Sequence, residues 1–376
     1  MRFKVISVGA AGNKAGINLV EKGIIEKDDL VLINSTIKDI PVAYRDLAIR
    51  LSDQIQGCGQ ERSIGISLCT DAIRDKRLNL DSMLEPVHDK AIIITSTCGG
   101  TGSGASVTIA KYLKFIGVDV EVIGLVGFED ESARSLRNFV EFCQDLDEGY
   151  VIQLIRNSAF LNVTRGNRTA AEIEANNEVA RRIKVMGGSL FRDSLQNIDN
   201  TDIIKLNNTP GYKTVEYREV FDKIRNVDQF NQILTEMLDD SAMVEPDATG
   251  VGLLGVVANL QSSSQQFIDR SFKVLKDRLG MPYELYTHIE ECPDLPEFIA
   301  IVASGMKMPA KEINNIFNKY TALSNAVNTK KDDFFENIQN LKGNSEDAMF
   351  DTNIISGKPK INLDDARKAF FKSMGE

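Results

Sequence analysis

A glycine-rich stretch near residue 100 has the residue types of an anion-binding loop: Thr97-Cys98-Gly99-Gly100-Thr101-Gly102-Ser103-Gly104. Three isoleucines at 92–94 precede it, as in a buried parallel strand, and a helical pattern follows from Val107 to Phe115. Glycines at such a junction let backbone N–H groups approach a ligand, and the helix adds a positive dipole. A flexible linker would not stand between a buried strand and a helix, and a Walker A loop would need a lysine after the glycines. The stretch predicts a phosphate-binding loop.

Two further glycine turns have the same context. One follows the alternating strand Phe3–Val8 and consists of Gly9, Ala10, Ala11, Gly12 and Asn13. The other consists of Gly57, Cys58 and Gly59, and a helical pattern follows it. Loops that follow strands of one parallel sheet meet at one edge, where open α/β sheets bind ligands. We therefore expect the three loops to form a single site.

The first turn does not match a dinucleotide-binding fold, which requires Gly-x-Gly-x-x-Gly and an acidic residue after the second strand. The glycines here are Gly9, Gly12 and Gly16, and the second strand ends in Asn34-Ser35-Thr36. Both differences argue against a nicotinamide-dependent oxidoreductase.

Two carboxylates lie three residues apart in Asn197-Ile198-Asp199-Asn200-Thr201-Asp202. Such a pair can polarise a water molecule towards a phosphate. An EF-hand calcium loop would use similar spacing, but its glycine and its distal glutamate are missing. A solvent-exposed Asx turn is the remaining alternative.

The composition excludes several classes of protein. The 376 residues are sufficient for about two domains, and a net charge of −10 argues against direct nucleic-acid binding by the whole surface. Two histidines and five cysteines, none spaced as Cys-x-x-Cys, favour neither a His-based triad, nor a zinc site, nor a disulfide framework. No apolar run approaches the roughly 20 residues of a membrane span, so we expect a cytoplasmic protein with no membrane partner.

Together, these motifs resemble the tubulin/FtsZ superfamily of GTPases. The central loop is similar to its GGGTGTG signature, with Cys98 replacing a glycine and Ser103 a threonine. The first loop is similar to GGGGN, and Asn34-Ser35-Thr36 is similar to NTD, with Thr36 replacing the aspartate. The strand ending at Gly305 is similar to VVATG, so the resemblance extends over residues 1–308.

The resemblance implies GTP as substrate, with Mg²⁺, and assigns roles to further residues. Asp130 and Arg134 match a Glu-x-x-x-Arg motif that holds ribose and phosphate, with Glu131 as the alternative acid and a solvated helix start as the alternative interpretation. Asn157 and Asn177 match the asparagines that recognise guanine, although either could be an ordinary solvated residue. The implied nucleotide-binding residues are Gly9, Ala10, Ala11, Gly12, Asn13, Asn34, Gly57, Cys58, Gly59, Gly99, Gly100, Thr101, Gly102, Ser103, Asp130, Glu131, Arg134, Asn157 and Asn177.

The acidic motif is similar to the superfamily's synergy loop, which reaches into the nucleotide pocket of the next subunit. The resemblance therefore implies that Asn197, Asp199 and Asp202 are catalytic and that subunits assemble head to tail. The implied fold is α/β and tubulin/FtsZ-like, with a parallel-sheet GTP-binding domain and a smaller α/β domain with a mixed sheet. The expected parts are a GTP-binding domain (1–168), a central helix (169–196), an activation domain (197–308), a C-terminal helix (309–342) and a flexible tail (343–376). Within the activation domain, we expect a long polar helix between Lys213 and Met237.

The tail ends in a short amphipathic segment with Arg367, Lys368 and Lys372. The long C-terminal helix and this basic end resemble the TubZ and phage-tubulin branch, which moves plasmid or phage DNA. The expected partners are other copies of the chain and a DNA-binding adaptor that contacts the tail, with no direct nucleic-acid contact. A cell-division protein of the FtsZ type and a GTP-binding regulator that does not polymerise are the alternatives.

Overall fold

The computed structural model describes residues 2–84, 88, 90–146, 149–187, 200–221, 224, 226–247, 249–260, 265–290, 296–335 and 372. The strands are β1 Phe3–Val8, β2 Leu30–Asn34, β3 Ala48–Arg50, β4 Lys90–Ser96, β5 Val120–Val126, β6 Val151–Arg156, β7 Gly211–Glu219, β8 Val251–Asn259, β9 Pro282–Glu290 and β10 Phe298–Met306. The helices are α1 Gly9–Glu21, α2 Arg62–Arg74, α3 Gly100–Phe115, α4 Ala133–Asp145, α5 Arg168–Met186, α6 Asn200–Asn208, α7 Val227–Asp239, α8 Gln265–Leu279 and α9 Ala310–Phe335.

The ten strands form one sheet in the order β3-β2-β1-β4-β5-β6-β7-β10-β8-β9. Strands β3 to β6 are parallel to their neighbours, whereas β10 is antiparallel to both β7 and β8. The two parts meet at a parallel pairing of only two positions, Val151 with Gly211 and Ile152 with Tyr212. The expected combination of a parallel and a mixed sheet is confirmed.

The parallel strands are buried because helices cover both faces. Gly124 of β5 faces Phe142 of α4, since a Cβ atom there would lie 3.4 Å from the Phe142 ring. Glu121, three residues earlier, points to the opposite face, where its hydrogen-bond partner Gln153 contacts Met186 of α5. Burial on both faces explains the continuous run of isoleucines in β4.

Two helices have bounds that the sequence patterns did not give. The segment between Lys213 and Met237, expected to contain a long polar helix, begins with β7, which pairs with β10 from Tyr212 to Glu219, and its helix, α7, starts at Val227. In addition, α3 begins at Gly100 rather than near Val107. The glycines of the central loop from Gly100 onward are therefore helical, and Gly100 and Gly104 pack against the backbone of α2 and of the residues just before it.

The central helix α5 starts after the capping residue Asn167 and ends at Met186, so residues 188–196 of the expected helix lie outside the described residues. Residues 336–342 of the C-terminal helix and all of the tail except Lys372 also lie outside them. Among the described residues, no helix is long and apolar enough to span a membrane. Cys58, Cys69, Cys98 and Cys143 are buried free thiols.

Candidate functional site

The first and central glycine loops lie in direct contact. Gly9 follows β1 with a φ of +76°, and a Cβ atom on it would lie 3.0 Å from the Cα atom of Gly102. A Cβ atom on Gly12 would overlap the carbonyl oxygen of Ile94 in β4. Because β1 and β4 are parallel neighbours, the two loops leave the same edge of the sheet, as expected. Side chains larger than hydrogen would force them apart.

The loop after β3 packs against the central glycine loop. A Cβ atom on Gly100 would lie 2.8 Å from the backbone of Gln60. The Thr101 hydroxyl donates to Cys58 Sγ at 3.1 Å and lies 3.0 Å from the hydroxyl of buried Ser35. The turn itself contains left-handed backbone at Gly59 (φ +55°) and Gln60 (φ +63°). Thr101 therefore joins the third loop to the end of β2.

The helices that begin at this edge are not capped by side chains. Val8, Glu61 and Gly99 precede α1, α2 and α3, and none of them caps its helix through a side-chain hydrogen bond. By contrast, α4, α5 and α7 are capped by Ser132, Asn167 and Asn226. The first turns of α1, α2 and α3 also lack acidic residues. Three converging uncapped N-termini form a site for an anion such as a phosphate chain.

Arg134 and the two candidate acids lie beside these loops. Arg134 Nη1 is 3.2 Å from Glu61 Oε2 and 3.5 Å from the carbonyl oxygen of Gly59. Asp130 forms an ion pair with Arg168, whose guanidinium lies 4.9 Å above the Phe128 ring.

Glu131 approaches the central loop instead. A Cβ atom on Gly127 would lie 2.9 Å from Glu131 Cγ and 3.0 Å from Cys98 Sγ, so these two side chains are neighbours. Burial raises the pKa of the Cys98 thiol to about 11, and the nearby Glu131 adds to the increase. Of the two acids, Glu131 is the one that borders a glycine loop.

The asparagines expected to recognise a base lie on elements that pack together. Asn157 directly follows β6, and its Oδ1 atom is buried without a hydrogen-bond partner. Asn177 lies in the middle of α5, which packs on residues 157–160, and its Oδ1 accepts from Asn18 Nδ2 of α1 at 3.4 Å. Two other asparagines among the expected nucleotide-binding residues are buried in or beside the first glycine loop. In α1, the Oδ1 atom of buried Asn13 is also without a hydrogen-bond partner. Asn34, at the end of β2, is buried, and its Oδ1 accepts the Ser35 N–H at 2.9 Å.

Asp202 lies in the first turn of α6, far from the glycine loops of the same chain. The last turn of α6 contacts Lys90, the first residue of β4, whereas the central glycine loop follows Ser96, the last residue of that strand. Seven residues of strand extend roughly 20 Å. Asn197 and Asp199 lie outside the described residues.

A residue that the sequence analysis missed connects two of the loops. Asn138 of α4 is buried, and its Nδ2 donates to the carbonyl oxygens of Gln60 at 2.9 Å and Cys98 at 3.0 Å. The sequence does contain a sign of this role. Asn138 is a polar residue on the apolar face of the strongly amphipathic helix α4, which it shares with Leu136 and Phe139.

No family model matches the chain. In sequence, it is 27% identical to the tubulin-like protein CetZ1 of Haloferax volcanii over 241 residues, which are 58% of this chain and 59% of that protein. It is 23% identical to the cell division protein FtsZ of Aquifex aeolicus over 214 residues, 54% of this chain and 55% of that protein. The matched regions thus span less than two thirds of these relatives.

Solved structures extend the similarity. A GTPγS-bound protofilament of CetZ2 from Haloferax volcanii has a TM-score of 0.70 at 16% identity and covers 87% of this chain and 100% of that one. A GTPγS-form protofilament of TubZ from Bacillus thuringiensis serovar israelensis also has a TM-score of 0.70, at 15% identity, covering 88% of this chain and 94% of that one. The chain thus has a tubulin/FtsZ-like fold and is similar in sequence to members of that superfamily. The expected resemblance to the tubulin/FtsZ superfamily and the expected fold class are both confirmed. CetZ, FtsZ and TubZ are all among the similar proteins.

The position of Asn138 predicts that it holds the central glycine loop and the loop after β3 in place. Asn138→Ala removes the donor shared by two buried carbonyl groups, at a cost of about 1–3 kcal/mol. We expect about tenfold weaker binding of a fluorescent GTP analogue, measured by titration. The control Asn315→Ala removes an exposed asparagine of α9 that bonds Glu312 at 3.3 Å and should bind as the wild type does. Equal affinity of both variants would contradict the prediction.

Proposed function

We propose that this protein is a cytoplasmic GTPase that assembles head to tail into filaments and completes its active site between subunits. The observation that carries the proposal is the separation of the two candidate halves of the site. The uncapped helices lie at one edge of the sheet, whereas α6, with Asp202, is attached at the other edge. A second chain stacked on the first would bring Asp202 to the glycine loops. The protofilament structures of CetZ2 and TubZ support this arrangement.

Each part of the nucleotide has candidate partners. The backbone N–H groups of Gly9 to Gly12 and Gly99 to Ser103 would bind the phosphates, and Gly57 to Gly59 would border the γ-phosphate. Arg134, once released from Glu61, would add a positive charge to the phosphates or the ribose. Asn157 and Asn177 would recognise guanine, because an amide can both donate to O6 and accept from N1–H and N2–H.

Mg²⁺ fits this site only together with the nucleotide. In the part of the chain that the structure describes, no three histidine, cysteine, aspartate or glutamate side chains gather to hold a metal ion. Mg²⁺ is commonly held by substrate phosphates with few protein ligands, and it would neutralise charge on the β- and γ-phosphates. The role of Asp202, with Asn197 and Asp199 of the same sequence motif, would be to orient a water molecule for attack on the γ-phosphate.

If Asn157 and Asn177 recognise guanine, GTP should bind far more tightly than ATP. Adenine would leave buried amide groups without partners, which costs about 1–3 kcal/mol per group. In competition titrations, we expect the wild type to prefer GTP at least tenfold and Asn157→Ala/Asn177→Ala to lose most of that preference. Asn162→Ala, an exposed asparagine near Asn157, is the control. Equal competition by ATP in the wild type would contradict guanine recognition.

Catalysis between subunits predicts that Asp202→Asn binds GTP and assembles but hydrolyses it at least tenfold more slowly. The control Asp228→Asn changes an acidic residue in the first turn of α7 and should keep full activity. Wild-type turnover per molecule should rise with protein concentration.

A mixing experiment tests the same arrangement directly. Asp202→Asn keeps its nucleotide pocket, and Asn157→Ala/Asn177→Ala keeps its Asp202. Mixed filaments should hydrolyse GTP faster than either variant alone, because a bound GTP would then meet an intact Asp202 on the neighbour. Additive rates, together with wild-type turnover that is independent of concentration, would instead indicate a site within one chain.

The cargo of the filament is a separate proposal. The basic end of the tail, with Arg367, Lys368 and Lys372, stands in an otherwise acidic chain and suits an adaptor bound to DNA. CetZ and FtsZ are as similar to this chain as TubZ is, so a division or shape-related role is the competing function.

Removing residues 361–376 tests the adaptor proposal. The truncated protein should keep its GTPase rate and its assembly within about twofold, because the candidate site lies in residues 9–202. It should no longer co-sediment with DNA-binding proteins encoded beside its gene, as the full chain should. If the truncation stops assembly, the tail belongs to the filament instead.

A further inference from the structure

Three charged side chains from β4, β5 and β7 are fully buried on one face of the sheet, and we name Lys90, Glu121 and Lys213 the lysine cluster. Glu121 Oε2 accepts from Lys90 Nζ at 2.6 Å and lies 3.4 Å from Lys213 Nζ. All three side chains have zero exposure. Gln153 of β6 donates to the other oxygen of Glu121 at 2.5 Å.

The cluster contains two cations and one anion, so it carries a surplus positive charge in the interior. Burial lowers the pKa of Lys213 to about 7; Glu121 opposes this shift, while Lys90 and Arg182 of α5 add to it. Burial alone would raise the pKa of Glu121, but Lys213 and Lys90 hold it below its usual value. An apolar set of similar volume would avoid the desolvation penalty of such charges. The cluster therefore calls for a role beyond packing.

That role is indicated by Asn207, in the last turn of α6. Lys213 Nζ donates to Asn207 Oδ1 at 2.8 Å, and Lys90 Nζ donates to the Asn207 carbonyl oxygen. Lysine donors at a helix C-terminus stabilise its exposed carbonyl groups and its dipole. Asn207 Nδ2 in turn donates to the carbonyl oxygen of Met186, the last residue of α5, at 3.0 Å.

The bond between Asn207 and Met186 closes the chain segment that carries the candidate catalytic residues. Residues 187–206 lie between its two ends and include Asn197, Asp199 and Asp202. Helix α6 has only nine residues, and helices shorter than about 12 residues depend on tertiary contacts. Asp202 precedes Asn207 by five residues, roughly 7.5 Å along the helix axis. An anchor at Asn207 therefore sets both the position and the direction of Asp202.

We propose that Asn207, held by Lys213 and Lys90, is a positioning residue that fixes Asp202 for hydrolysis in the neighbouring subunit. The inference rests on the proposed function, because it assigns Asn207 to the catalytic half of that site. Asn207 touches neither nucleotide nor water in this role. It acts through the geometry of α6.

Asn207→Ala removes the acceptor for Lys213 and the donor to Met186. We expect kcat to fall at least tenfold, with KM, GTP affinity and the critical concentration for assembly within twofold of wild type. Asn207→Asp keeps the acceptor and should recover part of the rate. The matched control is Asn208→Ala, which removes the neighbouring asparagine, bonded to Asp119 at 3.4 Å, and should leave turnover unchanged.

The pH dependence of kcat distinguishes a positioning role of Asn207 from an effect on stability alone. When Lys213 loses its proton near pH 7, its bond to Asn207 is no longer charge-assisted and weakens. Wild-type kcat should therefore fall as pH rises from 6 to 8, relative to Lys213→Met, whose profile should lack this step. Stability should change in the opposite direction. Because the pKa of Lys213 is depressed in the folded state, the free energy of unfolding rises relative to Lys213→Met between about pH 7 and pH 10.

Several outcomes would overturn the inference. Unchanged kcat in Asn207→Ala would do so, as would parallel losses of turnover, GTP affinity and assembly, which would mark Asn207 as merely structural. If Asn207→Ala does not fold, the profile of Lys213→Met decides: the same pH step in kcat as in wild type overturns the proposal. A wild type that binds GTP but never hydrolyses it would refute the proposed function and this inference together, whereas an active wild type with an active Asn207→Ala refutes only the inference.

Discussion

The candidate site depends on backbone contacts that leave no room for a Cβ atom. Helices α2 and α3 touch at Gly65 and Gly104: a methyl group on Gly65 would overlap the carbonyl oxygen of Gly100, and one on Gly104 would overlap that of Arg62. This close approach places two uncapped N-termini side by side. The contact of Gly9 with Gly102 brings in α1 as the third. The convergence of helix dipoles is thus a consequence of packing, and the packing is set by glycine.

The direction of the strands separates the chemistry into two places. Every parallel strand in the first part of the sheet delivers its loop to one edge, and that edge has the glycine loops. Helix α6 returns to the other edge, beside the first residue of β4. The two candidate halves lie on different surfaces, so the contact between copies that is proposed above would be head to tail. Contacts of this kind continue into open filaments unless rotation closes a ring.

The parts of the fold that the sequence predicted are those encoded locally. Glycine loops, buried strands and the asparagines after β6 and within α5 are visible because each depends on neighbours along the chain. Strand β7 was not predicted because its pairing partner, β10, lies some 80 residues away: Val215 pairs with Val302. Asn138 was missed for the same reason, since the carbonyl groups of Gln60 and Cys98 meet only in three dimensions. The pairing of Glu61 with Arg134 was likewise invisible.

Buried charges have a further consequence at the junction of the two parts of the sheet. Only two residue pairs connect β6 to β7. Apolar contacts have no preferred direction, so on their own they would let the two parts of the sheet shift relative to each other. The lysine cluster supplies directional bonds across this junction. A second set does the same between α5 and β7, where buried Arg182 pairs with Glu178 at 2.8 Å and with Glu216 at 3.4 Å. Breaking one partner of such a group leaves a buried charge uncompensated, which costs about 3–5 kcal/mol. Any other register would break these buried charge pairs at a large cost in free energy, so the two parts of the sheet are held in one register. That register determines the position of α6 and hence of Asp202.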